Sequence, residues 1–71
     1  MMERELAENI NLMLLRQSAE LNKSVALVRE KCNEEEIKAY LKRISHMMAL
    51  LFDVLDDIYK DYPDLKPKAF K

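Results

Sequence analysis

A chain of 71 residues with 12 basic and 13 acidic side chains, one cysteine and one histidine has room for one domain. It has no means to form an internal disulfide or a multi-ligand His/Cys metal cluster, and its net charge of −1 gives no pull toward nucleic acid or an anionic membrane. A domain this small buries only about 60% of the surface its unfolded chain exposes, so oligomerisation or unusually regular helix packing has to make up the stability.

No glycine occurs, and both prolines, Pro63 and Pro67, fall in the last nine residues. Leu, Ala, Glu, Lys, Met and Arg dominate residues 1–62, and all favour helix. The Asn-Gly and Asp-Gly pairs that build tight hairpins are missing. The fold class is therefore all-α. The opening MMEREL lacks a basic region followed by an apolar stretch, so no secretory signal is expected there. The longest apolar run, Met47–Phe52, is far short of the roughly 20 residues that span a bilayer. These features and the lone thiol, which suits a reducing compartment, give a cytoplasmic expectation.

The first helix is expected over about 3–31. Its main apolar stripe reads Ala7, Ile10, Leu14, Gln17, Leu21, Val25, Val28 and Cys32, flanked by Leu6 and Met13. A weaker line of Leu12, Leu15, Ala19 and Ala26 runs along the other side, so this helix looks covered on two faces. A turn follows at about 32–33. The step of five residues from Cys32 to Ile37 would throw the stripe to nearly the opposite face of a continuous rod. Asn33-Glu34-Glu35-Glu36 also has the form of a helix start, with Asn33 as cap and Glu36 at the capping-box position. Three glutamates in a first turn suit the positive end of the helix dipole. Asn33 also tolerates the left-handed conformation that commonly ends a preceding helix.

The second helix is expected over about 34–61. Ile37, Leu41, Ile44, Met48, Leu51, Leu55, Ile58 and Tyr62 repeat at 4-3-4-3-4-3-4 spacing, an unbroken heptad seam. Lys38, Lys42, His46, Asp53, Asp56 and Lys60 lie opposite, toward water. An antiparallel hairpin closed near Cys32 and Asn33 sets pairs whose numbers sum to about 65 side by side: Val28 with Ile37, Leu21 with Ile44, Leu14 with Leu51, Ile10 with Leu55 and Ala7 with Ile58. The hairpin core is accordingly Ile10, Leu14, Leu21, Val25, Val28, Ile37, Leu41, Ile44, Met48, Leu51, Leu55 and Ile58. Gln17 falls near Met48, where a buried amide would specify register and an outward-leaning one would be wet. Residues 63–71 read as a Pro- and Lys-containing tail with extended backbone, from which Leu65 or Phe70 docks on the end of the bundle.

Two helices cover only one side of each other. Leu12, Leu15, Ala19, Tyr40, Met47, Leu50 and Val54 would form an apolar strip larger than monomers usually expose, and pairing two hairpins into a four-helix bundle would cover it. These seven are the expected oligomer interface of a homodimer.

Several residues invite chemistry and do not supply it. His46 has Lys42, Arg43, Ala49 and Leu50 at the helical spacings where a metal partner would stand, and Ser45 points about 100° away. Met47 and Met48 suit packing or subunit contact. The run Asp53, Asp56, Asp57, Asp61 and Asp64 lacks the glycine turn of a calcium loop and reads as a solvated face. Cys32 lies among Glu30, Glu34 and Glu35, which oppose a lowered thiol pKa. No catalytic, metal or cofactor-binding residue is assigned, and no small-molecule substrate or membrane partner is expected.

The stretch Ala26–Pro67, with its Ala-Leu-Val, Cys, Glu-Glu and Tyr pattern and closing Tyr-x-x-x-Pro-x-Leu-x-Pro segment, resembles small uncharacterised proteobacterial helical-hairpin proteins of unknown function. The resemblance implies the hairpin and brings no activity. Ser18–Asn22 is similar to the S-x-E-L-D motif of two-helix sporulation phosphatases, but Asn22 replaces the aspartate and the motif falls in the first helix, so that role is not carried over. The expected function is a non-enzymatic helical interaction module that self-associates and binds another protein. The alternative is a small dimeric RNA-binding regulator using Arg16 and Lys23 on one face and Lys38 and Lys42 on another, an analogy with bundles of that architecture.

Overall fold

The structure is a computed structural model and describes residues 2–67. It is an all-α helical hairpin. Helix α1 spans Arg4–Lys31 and helix α2 spans Glu34–Asp61, each of 28 residues, or about 42 Å at the usual rise. A 3-10 turn, Pro63–Leu65, follows.

The reversal between the helices is built by the capping box. The Asn33 side chain accepts a 2.9 Å hydrogen bond from the Glu36 backbone N–H, and the Glu36 carboxylate accepts one of 3.1 Å from the Asn33 N–H. Two free backbone donors are satisfied at once. The expectation of a left-handed residue there is corrected: Cys32 (φ −113°, ψ 161°) and Asn33 (φ −80°, ψ 173°) are both extended, and no described residue has positive φ. Two extended residues in succession turn the chain, and no glycine is needed. Cys32 still closes α1 by donating its N–H to the Val28 carbonyl at 3.0 Å.

Tyrosine hydrogen bonds cross between the arms and support their antiparallel course. Tyr40 donates to the Ser24 hydroxyl at 2.7 Å, Tyr59 donates to the Asn11 side-chain oxygen, and Tyr62 donates to the Met2 carbonyl at 2.7 Å. On α2 the seam from Ile37 to Tyr62 faces inward: Ile44, Leu55 and Ile58 are buried, and Ile37, Leu41, Met48, Leu51 and Tyr62 are half-buried.

On α1 the structure corrects the stripe. The buried positions are Ala7, Asn11 and Ser18, which with half-buried Leu14, Leu21, Val25, Val28 and Cys32 make a 4-3-4-3-4-3-4 seam matching that of α2. Asn11 and Ser18 take the seam positions beside Ile10 and Gln17. Ile10 is half-buried and still packs against the core, and Gln17 is exposed, the outward-leaning alternative. Ser18 and Ser24 tolerate the interior because each hydroxyl bonds back along its own helix, to the carbonyls of Leu15 (2.8 Å) and Leu21 (2.6 Å).

The core is small and lies toward the open end, where Ala7, Leu55, Ile58 and Tyr59 cluster and Leu14, Leu51, Phe52 and Leu65 pack around them. Toward the turn Ile44 is the one buried apolar residue among those described. The molecule is correspondingly drawn out: its radius of gyration is 14.5 Å and its extents are 44 × 20 × 16 Å, against about 11 Å for a compact domain of this length.

The beginning of the tail is corrected too. Residues 63–65 form a helical turn, and Lys66 donates its N–H to the Pro63 carbonyl at 3.2 Å. Half-buried Leu65 rests on the core. Phe70 lies outside the described residues.

Candidate interaction surface

The open end of the hairpin is closed by a polar clasp. Tyr59 and Asn11, 7% and 6% exposed, are hydrogen-bonded, and the Asn11 amide also reaches the Leu65 carbonyl at 3.5 Å. Tyr59 approaches from α2, Asn11 from α1 and Leu65 from the terminal turn, so one buried amide gathers three segments. Burial pushes the Tyr59 hydroxyl pKa up, and the nearby Asp56 charge adds to it. Beside this, Arg4 pairs with Asp64 and with Glu8 (3.4 Å) and lies 5.6 Å from the centre of the Tyr62 ring. The hydrogen bond from Arg4 holds the Asp64 carboxyl below its usual pKa, and the Arg4 pKa is raised in return. These bonds tie α1, α2 and the terminal turn together at the open end.

The remaining candidates for chemistry are apart from one another. His46 is exposed on the outer side of α2, beside a shallow depression lined by Ala39, Lys42 and Arg43. Cys32 is half-buried at the turn. Among the described residues no group of three or more His, Cys, Asp or Glu is placed to hold a metal ion, and no helix is long and apolar enough to cross a membrane.

What the hairpin does present is apolar surface. Leu50 is 67% exposed, Leu27 60%, Met13 58%, Leu12 56%, Met47 52%, Leu6 46% and Val54 45%. Their helical positions separate them. Met47 and Val54 are seven apart, in line with Tyr40, whose bond to Ser24 marks one flank of the hairpin. Leu50 lies next to that line. On α1 the residues adjoining Ser24's line on this same flank are Leu6, Met13 and Leu27, which are seven or fourteen apart. Val54 also shares a groove at the open end with Met2, Ala7 and Tyr62. Six of the seven exposed side chains therefore lie on one flank, and Leu6, Met13, Met47, Leu50 and Val54 make its centre.

Of the seven expected interface positions, Met47, Leu50 and Val54 lie on this flank and are exposed. Tyr40 lies there half-buried, held by Ser24. Leu12, Leu15 and Ala19 project on the opposite flank, where Leu12 and Ala19 are exposed and Leu15 is half-buried against the core. Leu6, Met13 and Leu27 lie outside the seven expected positions; a seam through Asn11 and Ser18 turns their line away from the hairpin core.

Comparison of the chain with family models, with curated proteins and with solved structures gave no match in any of the three.

Proposed function

We propose that this protein is a non-enzymatic helical interaction module, which associates with itself and with another protein through the flank carrying Leu6, Met13, Met47, Leu50 and Val54. The observation that carries the reading is Leu50, 67% exposed in the middle of α2 with Met47 and Val54 one turn to either side. A large leucine at the centre of a contiguous apolar strip is what a protein contact covers. The thin core supports the reading from the other direction. Among the described residues, only Ala7, Ile44, Leu55, Ile58 and Tyr59 are buried apolar residues, and a hairpin this poorly covered gains stability from a second pair of helices. The two methionines give the strip an adaptable surface. A cytoplasmic setting fits the unpaired Cys32.

The test is Leu50→Lys, compared with the wild-type chain by size-exclusion chromatography with light scattering. The variant should run as a monomer with its helicity kept, because Leu50 contributes little to the hairpin's own core. An unchanged assembly state would remove Leu50 from the contact and this reading with it.

A further inference from the structure

Beyond its acidic first turn of Glu34, Glu35 and Glu36, helix α2 is charged in two blocks with the apolar strip between them. Lys38, Lys42 and Arg43 lie between the turn and Met47, with no acidic residue among residues 38–46. Asp53, Asp56, Asp57 and Asp61 lie beyond Leu50, with Lys60 the one cation. Within this arrangement one line of α2, at seven-residue spacing, reads Arg43, Leu50, Asp57. All three are exposed. Among the described residues, Lys38, Lys42 and Arg43 take part in no ion pair, and Asp57 has only Lys60, at 3.8 Å between two exposed groups.

We infer that the strip is covered by the same strip of a second copy, with the two α2 helices antiparallel about a two-fold axis at Leu50. This deepens the proposed function, on which it rests, by fixing the occupant and its register. The inference follows from the order of the residues. An antiparallel contact centred at Leu50 sets residues whose numbers sum to about 100 side by side. Leu50 then meets Leu50, Met47 meets Val54, and Arg43 of each copy meets Asp57 of the other. The same register brings His46 level with Asp53. A two-fold contact is self-complementary, so each pairing occurs twice. A parallel two-fold contact would instead set Arg43 against Arg43 and Asp57 against Asp57, and like charges across an interface select against it. A shift by one heptad would place Leu50 against Arg43 or Asp57 and lose both the apolar centre and the charge pairs. Leu6 and Met13, on the same flank of α1, widen the covered surface.

The experiment is a charge exchange read by sedimentation equilibrium of the full chain at low and high salt. The variants are Arg43→Asp, Asp57→Arg and the two together, with Leu50→Lys as the apolar control and circular dichroism as the folding check. Each single charge variant turns two attractive pairs into two repulsive ones and should raise the dimer Kd about tenfold or more. The combined variant should return the Kd to within about threefold of wild type, and salt should shrink the differences. Restoration by the exchange is something a general loss of folding would not produce. If the single variants match wild type, or the exchange fails to restore association, while Leu50→Lys still dissociates the dimer, the antiparallel register is overturned and the apolar flank survives. If wild type itself sediments as a monomer, the flank reading falls as well.

Discussion

The replacement Tyr59→Phe removes one oxygen from the centre of the clasp. The Tyr59 hydroxyl donates to the Asn11 side-chain oxygen, and both residues are buried, at 7% and 6% exposure. With the hydroxyl gone, that oxygen keeps no donor and stays out of water. A buried acceptor left unpaired costs about 1–3 kcal/mol. Total stability for a chain of 71 residues is about 4–11 kcal/mol at the usual stability per residue, so this one bond is a substantial share. Urea unfolding at a fixed protein concentration, followed by circular dichroism, measures it, because association makes apparent stability concentration-dependent. With a slope of about 1 kcal/mol/M, the midpoint should fall by about 1–3 M with the slope unchanged. The double variant Asn11→Leu, Tyr59→Phe removes both side chains of the buried bond and should recover most of the loss, the Leu65 carbonyl at the half-buried terminal turn losing only its long bond from the Asn11 amide. A midpoint that does not move in Tyr59→Phe, or a double variant worse than the sum of the single ones, would refute the view that the pair is a buried, satisfied lock.

Other outcomes follow from the same structure. Replacing Asn33 by Ala removes the acceptor of the capping box and should lower stability by about 1 kcal/mol in the same urea assay. The Asp64 carboxyl titrates lower in the folded chain than in the unfolded one, because of Arg4. The ion pair therefore stabilises above the unfolded carboxylate pKa, and that stability is lost as pH falls through the lowered folded value. An acid titration of Asp64→Asn should show a shallower loss than wild type. The Tyr59 hydroxyl shifts the other way, upward. Its contribution is present below the ordinary tyrosine range and disappears as pH rises through the raised folded value, so Tyr59→Phe should flatten the alkaline limb of the stability curve.

The helices and their reversal were legible because their signals are local. The seam from Ile37 to Tyr62 is apolar at every position, and Asn33 with Glu36 is a complete cap written in four residues. The α1 seam was harder to read because two of its positions are polar. Asn11 is buried for a reason that no stretch of α1 contains, its pairing with Tyr59, 48 residues away, while Ser18 is buried with its hydroxyl bonded back to its own helix. Apolar periodicity therefore centres the stripe on Ile10 in place of Asn11, and Leu12, Leu15 and Ala19 project on the flank opposite Met47. On α2, where the seam is unbroken, its phase alone places Met47, Leu50 and Val54 off the seam, and all three are exposed. The terminal turn was read as extended because Pro63 suggests it locally. The bonds from Tyr62 to Met2 and from Arg4 to Asp64 each span 60 residues and are invisible to any local pattern.

The central claim is that the flank around Leu50 is covered by association. Sedimentation equilibrium of the wild-type chain over micromolar concentrations tests it most directly. The monomer has a mass of 8.4 kDa. The account predicts a concentration-dependent rise to twice that mass, abolished by Leu50→Lys. A folded wild-type chain that holds the monomer mass throughout, with Leu50 open to water, would contradict it.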